Sequence, residues 1–365
     1  MIATDKVALI VGAGFSTEAN LPTTSEMGER FLQTPPKPIL PGSVEDEINR
    51  QLQKFWESTF GYKHGRPHPS LEDHFTLIDL AANSGHHIGP AYSPKKLGAI
   101  RRFSIHRAFQ ILDSSYEESD TIHQLLRALQ RRRRSPIVCV NWDIVGEKHL
   151  RRIRANYDYG PVVQQLDPIP ESEVAVPFLK LHGSTNWTYC DSCRTLFAAA
   201  LEEGKDALNR LVFIEADDFR FLDTADRVIA AAEKLPARRR CPNCDCQLTA
   251  RVGTFSFRND FAIQQFQTIW QTAHRELRES AAWLFIGYSM PESGFEFRNL
   301  LKSAQMAGTL TDRRQIQIVL RGDCDAALRY KRFFGLGDQQ INQNGMSFWV
   351  TNCMDAWLSS LPHAR

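Results

Sequence analysis

Five short, nearly continuous apolar runs recur along the chain, and each stops abruptly at a small or polar cluster. The first, Val7-Ala8-Leu9-Ile10-Val11, stops at Gly12-Ala13-Gly14-Phe15-Ser16. Ile137 to Val140 precedes Asn141-Trp142-Asp143, and Val176 to Leu181 precedes His182-Gly183-Ser184. Trp283 to Ile286 precedes Gly287-Tyr288-Ser289, and Ile316 to Leu320 precedes Arg321-Gly322-Asp323. Runs of this length, rich in β-branched residues, predict strands buried on both faces. Between them the spacing becomes helical. Ile122, Leu125, Leu126 and Leu129 share one face, behind a cap at Asp120 or Thr121 and ahead of Arg131 to Arg134, whose charge suits a helix C-terminus. Ile48, Leu52, Phe55 and Trp56 mark a second helix over about Ser43 to Ser58, and a third is predicted over about Gln264 to Ser280. Phe348-Trp349-Val350 and Trp357 predict a last strand and helix. Strands alternating with helices predict an α/β fold, a doubly wound, Rossmann-like parallel sheet. Ligands of that architecture bind beyond the carboxyl ends of the strands, where all five polar clusters sit.

Two stretches break the rhythm. Residues 33–98 are helical, with Pro/Gly/His-rich breaks at Pro35-Pro36-Lys37-Pro38 and Gly61 to Pro69, and predict a helical insertion or lid. Its histidines (His64, His68, His74, His86 and His87) match no ligand spacing and read as surface residues, while Ser70-Leu71-Glu72-Asp73 reads as a capping box opening a helix that lines the cleft. Residues 185–251 carry paired cysteines and predict a separate module, which leaves 1–32, 99–184 and 252–365 to the sheet domain. The 365 residues match two to three units at ~150 residues each, or one large domain with an insertion. With 42% hydrophobic and 24% charged residues the composition is globular, which excludes disorder, collagen and coiled coil. Apolar runs such as Val7 to Phe15 fall short of the ~20 residues that cross a bilayer. The N-terminal run has no basic lead and no cleavage site, so a cytoplasmic protein off the membrane is expected.

The net charge of +2 does not point to nucleic acid. Arg131 to Arg134, Arg151-Arg152 with Arg154, and Arg238 to Arg240 lack interleaved aromatics and read as solvated faces or helix ends, so direct nucleic-acid binding is not expected. Eight cysteines in such a chain point to metal before disulfides. Cys190 and Cys193 form one C-x-x-C pair and Cys241 and Cys244 another, with 47 residues between the pairs that include an extra element such as Leu211 to Ile214. Four thiolates suit one tetrahedral zinc, and four sulfurs leave no open position for water, so the zinc is structural. Cys246 is an alternative to Cys244.

The G-x-G turn taken alone fits phosphate binding or plain strand-to-helix packing, and His182 alone fits a structural histidine. In order and spacing, however, Gly12-Ala13-Gly14-Phe15-Ser16, Asn141-Trp142-Asp143, His182-Gly183-Ser184, the two C-x-x-C pairs and Gly287-Tyr288-Ser289 together resemble the sirtuins. The resemblance implies a Rossmann-like NAD-binding domain. Gly12, Ala13, Gly14 and Ser16 would contact the pyrophosphate and its ribose, Phe15 would cover the nicotinamide pocket, and Gly287 and Ser289 would hold the adenosine side. Asn141 would position the nucleophile or the ribose, Asp143 would orient the nicotinamide amide, and His182 would be the general base. Protein-deacetylating sirtuins carry Thr-Gln before the Asn and a Phe-Arg pair after the glycine loop. Here Cys139 and Val140 stand in the first place, and Asn20-Leu21-Pro22-Thr23-Thr24-Ser25 lacks the second. With those losses the chain resembles the divergent bacterial sirtuin-like proteins that hydrolyse NAD in antiphage defence. By that resemblance NAD is a substrate, the chain is a homo-oligomer, and its partner is a HerA-type ATPase or an argonaute. An NAD-dependent protein deacylase and a non-catalytic nucleotide-sensing subunit are the competing readings.

Overall fold

The computed structural model describes residues 6–32, 40–132, 135–166, 175–199, 214–235, 239–249, 264–292, 294–307, 314–322 and 324–361. Gln33 to Ile39, Arg133, Arg134, Leu211 to Phe213, Arg238 and Asp323 lie outside them. The strands are β1 (Val7–Val11), β2 (Ile137–Cys139), β3 (Tyr157–Asp158), β4 (Val163–Gln165), β5 (Val176–Lys180), β6 (Trp187–Tyr189), β7 (Leu196–Ala198), β8 (Ala282–Ile286), β9 (Gln315–Val319) and β10 (Ile341–Asn342). Each of the five apolar runs is a strand.

Seven of them pair in parallel in the order β10-β9-β8-β1-β2-β5-β3. Apart from the two-residue edge β3, the chain steps outward from β1 through β2 to β5, returns to the other flank of β1 at β8, and continues through β9 to β10. This is the doubly wound order, and right-handed crossovers on either side of β1 place the connecting helices on opposite faces. β1 and β8 are buried along their whole length, as strands covered on both faces must be. Register brings the carboxyl ends level: Val11 pairs with Cys139 and Ile286, Cys139 with Lys180, and Ile286 with Val319. The residues that follow those five strands therefore emerge along one rim.

The helices are α1 (Ala13–Ser16), α2 (Thr24–Arg30), α3 (Val44–Phe60), α4 (Leu71–Asn83), α5 (Pro94–Ser115), α6 (Asp120–Gln130), α7 (Val145–Arg152), α8 (Ala216–Phe221), α9 (Asp226–Ala232), α10 (Gln264–Glu279), α11 (Phe295–Met306), α12 (Cys324–Phe334), α13 (Met346–Asn352) and α14 (Met354–Ser360). The described part of 33–98 is helical, and α5 runs unbroken through residue 98. Among the described residues no helix is long and apolar enough to cross a membrane.

Three local expectations are corrected. Phe348-Trp349-Val350 is helical: Met346, Trp349 and Val350 recur at i, i+3 and i+4 on a buried face, Phe348 points out, and the last strand is the short β10. The cap of α6 is Ser119, whose Oγ accepts from the Ile122 amide. His74 is not a surface residue. Its Nδ1 accepts from Trp56 Nε1 at 2.9 Å, and its Nε2 lies 2.7 Å from Ser104 Oγ, which donates onward to the Ile100 carbonyl. Burial pushes this imidazole down to about 3, so it ties α3, α4 and α5 together as a neutral crosslink.

Candidate active site

A cleft of about 950 Å³ opens on the rim where the winding reverses beside β1, a volume ample for a small-molecule or cofactor site. Ala13, Gly14, Ser16, Asn141, Asp143, His182, Gly287 and Ser289 all border it, while Gly12 and Phe15 lie beneath its floor. The Phe15 ring is 2% exposed and faces Val11, Cys139 and Phe178, so it does not cover the cleft. The single turn of α1 directs it onto the sheet, and burying a ring of that size is worth roughly 1.5–3 kcal/mol.

The glycines also serve the fold itself. The Gly12 amide donates to the Ile286 carbonyl at 3.1 Å and the Gly14 amide to Gly287 at 2.9 Å, so both are spent within the fold. A Cβ on Gly12 would stand 2.6 Å from Tyr288 Cα, and one on Gly287, whose φ is +63°, would stand 2.2 Å from Gly14 C. Gly12, Gly14 and Gly287 let the β1 and β8 tips cross at backbone contact. That crossing forms the cleft floor.

Across the floor from this crossing, three polar side chains join the β1 and β2 tips. Ser16 Oγ donates to Asp143 Oδ2 at 2.8 Å and accepts from Asn141 Nδ2 at 3.1 Å. Asp143 Oδ1 accepts from the Val145 amide, opening α7. Asn141 is thereby oriented with its Oδ1 uncommitted among the described residues. The loop itself is held from below by Lys180, the last residue of β5. Its Nζ donates to the Trp142 and Asp143 carbonyls and to Glu147 Oε1 at 3.1 Å, which also accepts from Tyr159 Oη at 3.0 Å. Lys180 and Glu147 are both fully buried. Burial pulls the ammonium down, but Glu147, Cys139 and Asp143 outweigh it and hold Lys180 charged, above its usual value.

His182 follows β5 and borders the cleft half-buried. Its ring meets Trp270 of α10 edge-on at 6.0 Å, and Trp270 is itself anchored by donating to the Leu181 carbonyl at 2.9 Å. His182 Nδ1 is buried with no hydrogen-bond partner among the described residues. Burial pushes the imidazole down to about 4, so it is neutral at physiological pH, the form that accepts a proton.

Several residues of the site lie outside the motifs that the sequence singles out. Lys180 is the polar exception in an otherwise apolar run, and a lysine in a strand buried on both faces is itself a signal. Arg30 and Arg321 bring cations to the cleft, and the His68 ring lies against Gly28 at its edge. Glu72, on the helix expected to line the cleft, borders it. Ser70 does cap α4, accepting from the Asp73 amide.

Beyond the sheet, Cys190, Cys193, Cys241 and Cys244 converge, with all four sulfurs within 4.8 Å of one another. Cys190 and Cys244 are 3.4 Å apart and Cys193 and Cys241 3.5 Å, near the about 3.8 Å edge of a tetrahedron with Zn–S bonds of about 2.3 Å. The two pairs fold alike. The first cysteine amide of each donates five residues ahead, Cys190 to Thr195 and Cys241 to Cys246, and the residue after each second cysteine is left-handed, Arg194 at +57° and Asp245 at +59°. Cys246 stands outside the four-sulfur group. The set fits a structural zinc, carried on the small sheet β4-β7-β6.

No family model and no curated protein matches this chain. Solved structures similar to it include a Sir2 homologue in complex with ADP-ribose, at 14% identity and a TM-score of 0.44, covering 98% of this chain and 95% of that one. A Sir2 complex with a p53 peptide and NAD+ aligns at 12% identity and a TM-score of 0.41, over 97% of this chain and 94% of that one.

Proposed function

We propose that this chain is a sirtuin-like NAD glycohydrolase, the cytoplasmic effector of a bacterial antiphage system. It works as a homo-oligomer beside a partner such as a HerA-type ATPase or an argonaute. The observation that carries the catalytic reading is the convergence of Asn141, Asp143 and His182 on one cleft at the winding reversal, with Arg30 and Arg321 at the same cleft to meet a pyrophosphate. The defence role rests on the sequence resemblance.

The dinucleotide lies across the strand tips with its nicotinamide end toward Asn141 and His182. The C1′–N1 bond breaks with its electron pair going to the ring nitrogen, which neutralises the pyridinium and leaves an oxocarbenium-like sugar. Water attacks C1′ and its proton passes to His182 Nε2 or to solvent, so NAD+ and water give nicotinamide, ADP-ribose and a proton. The chain's part is orientation and electrostatics: Ser16 and Asp143 fix Asn141 against the sugar, and His182 is neutral and able to accept.

Chromatography of NAD+ incubated with the purified protein, with and without an acetyl-lysine peptide, tests the reading. Nicotinamide and ADP-ribose are expected without peptide, and His182→Ala is expected to lower the rate by about 100-fold or more with the fold retained. Turnover only with the peptide would replace this reading with the deacylase one.

A further inference from the structure

Among the described residues three carboxylates border the cleft, and two are already committed. Glu26 closes the cap of α2, accepting from the Thr23 amide at 2.7 Å and the Thr23 hydroxyl at 3.0 Å. Asp143 accepts from Ser16 and from the Val145 amide. The third, Glu72, is half-buried in the first turn of α4, and no other described residue donates to its carboxylate. One turn further on, the Phe75 ring meets Trp142 edge-on at 6.0 Å, and Trp142 lies between Asn141 and Asp143. Glu72 therefore belongs to the helix that packs on the loop carrying Asn141, and so to the Asn141 end of the cleft.

An uncommitted acceptor pair at that end matches the vicinal diol of a sugar. We propose that Glu72 accepts hydrogen bonds from the 2′- and 3′-hydroxyls of the nicotinamide-side ribose and opposes the positive charge that develops at C1′, making it a further catalytic residue of this site. The assignment rests on the glycohydrolase reading. It places the negative charge where the transition state gains positive charge, an interaction stronger there than in the ground state. Desolvation, and to a lesser degree Asp73 beside it, raises the Glu72 carboxyl above the usual 4.5. Among the described residues the other titratable and charged groups on the cleft are Glu26, Arg30, His68, Asp143, His182 and Arg321. Glu72 works ionised, so activity falls as pH falls through its raised value, before His182 titrates at about 4.

Steady-state cleavage of NAD+ by wild type, Glu72→Gln and Glu72→Asp, measured from pH 4 to 8, tests this. Glu72→Gln is expected to lose about 100-fold in kcat with a much smaller change in KM, an unchanged melting curve and an acid limb moved to lower pH than in wild type. Glu72→Asp should recover part of the loss. The preference for NAD+ over its analogue lacking the nicotinamide-side 2′-hydroxyl should shrink about tenfold in Glu72→Gln. If Glu72→Gln stays within twofold of wild type in kcat with the acid limb unmoved, the Glu72 assignment falls and the glycohydrolase reading stands. If wild type releases no nicotinamide, both fall. Should Glu72→Gln unfold, the wild-type profile decides, because an acid limb no higher than about 4 overturns the assignment.

Discussion

Gly287 has almost no room: an added methyl would overlap the Gly14–Phe15 peptide at 2.2 Å while forcing a side chain onto a φ of +63°. The left-handed backbone alone costs about 1–2 kcal/mol for alanine, and the overlap adds to it because both partners are backbone. Gly287→Ala is expected to destabilise by about 3 kcal/mol or more in urea titration. Gly335→Ala, also left-handed at +70° but facing open space, should cost only about 1 kcal/mol. Equal losses in the two variants would show that the crossing is looser than the distances imply. The glycine loop was legible as a tight turn. That its amides serve the β8 tip required knowing that residues 14 and 287 touch, which no local pattern encodes.

Among the elements, β5 does the most for the site, because its last side chain holds the loop between β2 and α7. Lys180→Met would leave the Glu147 carboxylate buried without its cation, and breaking a buried pair from one side costs about 3–5 kcal/mol. Replacing both, as Lys180→Met with Glu147→Gln, should recover a large part of that, giving a coupling of at least about 1 kcal/mol in a double-mutant cycle. Additive losses would mean that the two residues act separately. The run from Val176 to Leu181 was readable as a strand, yet its lysine had no visible partner in the sequence, since Glu147 and the Asp143 carbonyl come from a different crossover. The segment around Trp349 was misread for a related reason. Three apolar residues in a row suit a strand, and only packing against α6 selects the helical face that buries Met346, Trp349 and Val350.

At the scale of the molecule the described residues form two cores of very different size. The main one spans the sheet and its covering helices and takes in Trp187, Tyr189, Leu196 and Ala198 of the small sheet, whereas the cluster around the sulfurs holds Cys190, Phe197, Cys241 and Leu248, backed by Leu166. So small a cluster contributes little burial around the four sulfurs, so a metal held there would organise the two cysteine turns. One zinc per chain is expected by elemental analysis, and Cys241→Ser should abolish it. Chelation of the wild type should expose the module to limited proteolysis while the cooperative unfolding of the parallel sheet persists. A protein that lacks zinc, or that loses it with no change in cleavage pattern, would contradict this role.

Much that is encoded within a few residues was determined by the sequence alone: the apolar runs and their polar stops, the paired cysteine spacing, the faces of α3 and α6, and the order of motifs. These follow from burial and ligand geometry, which act locally. Which stops share a rim, which carboxylate is left uncommitted, and where Phe15 and His74 point were decided only by the tertiary structure. Each depends on a partner a hundred or more residues away, or on the competition of neighbouring side chains for the same few hydrogen bonds and the same buried volume.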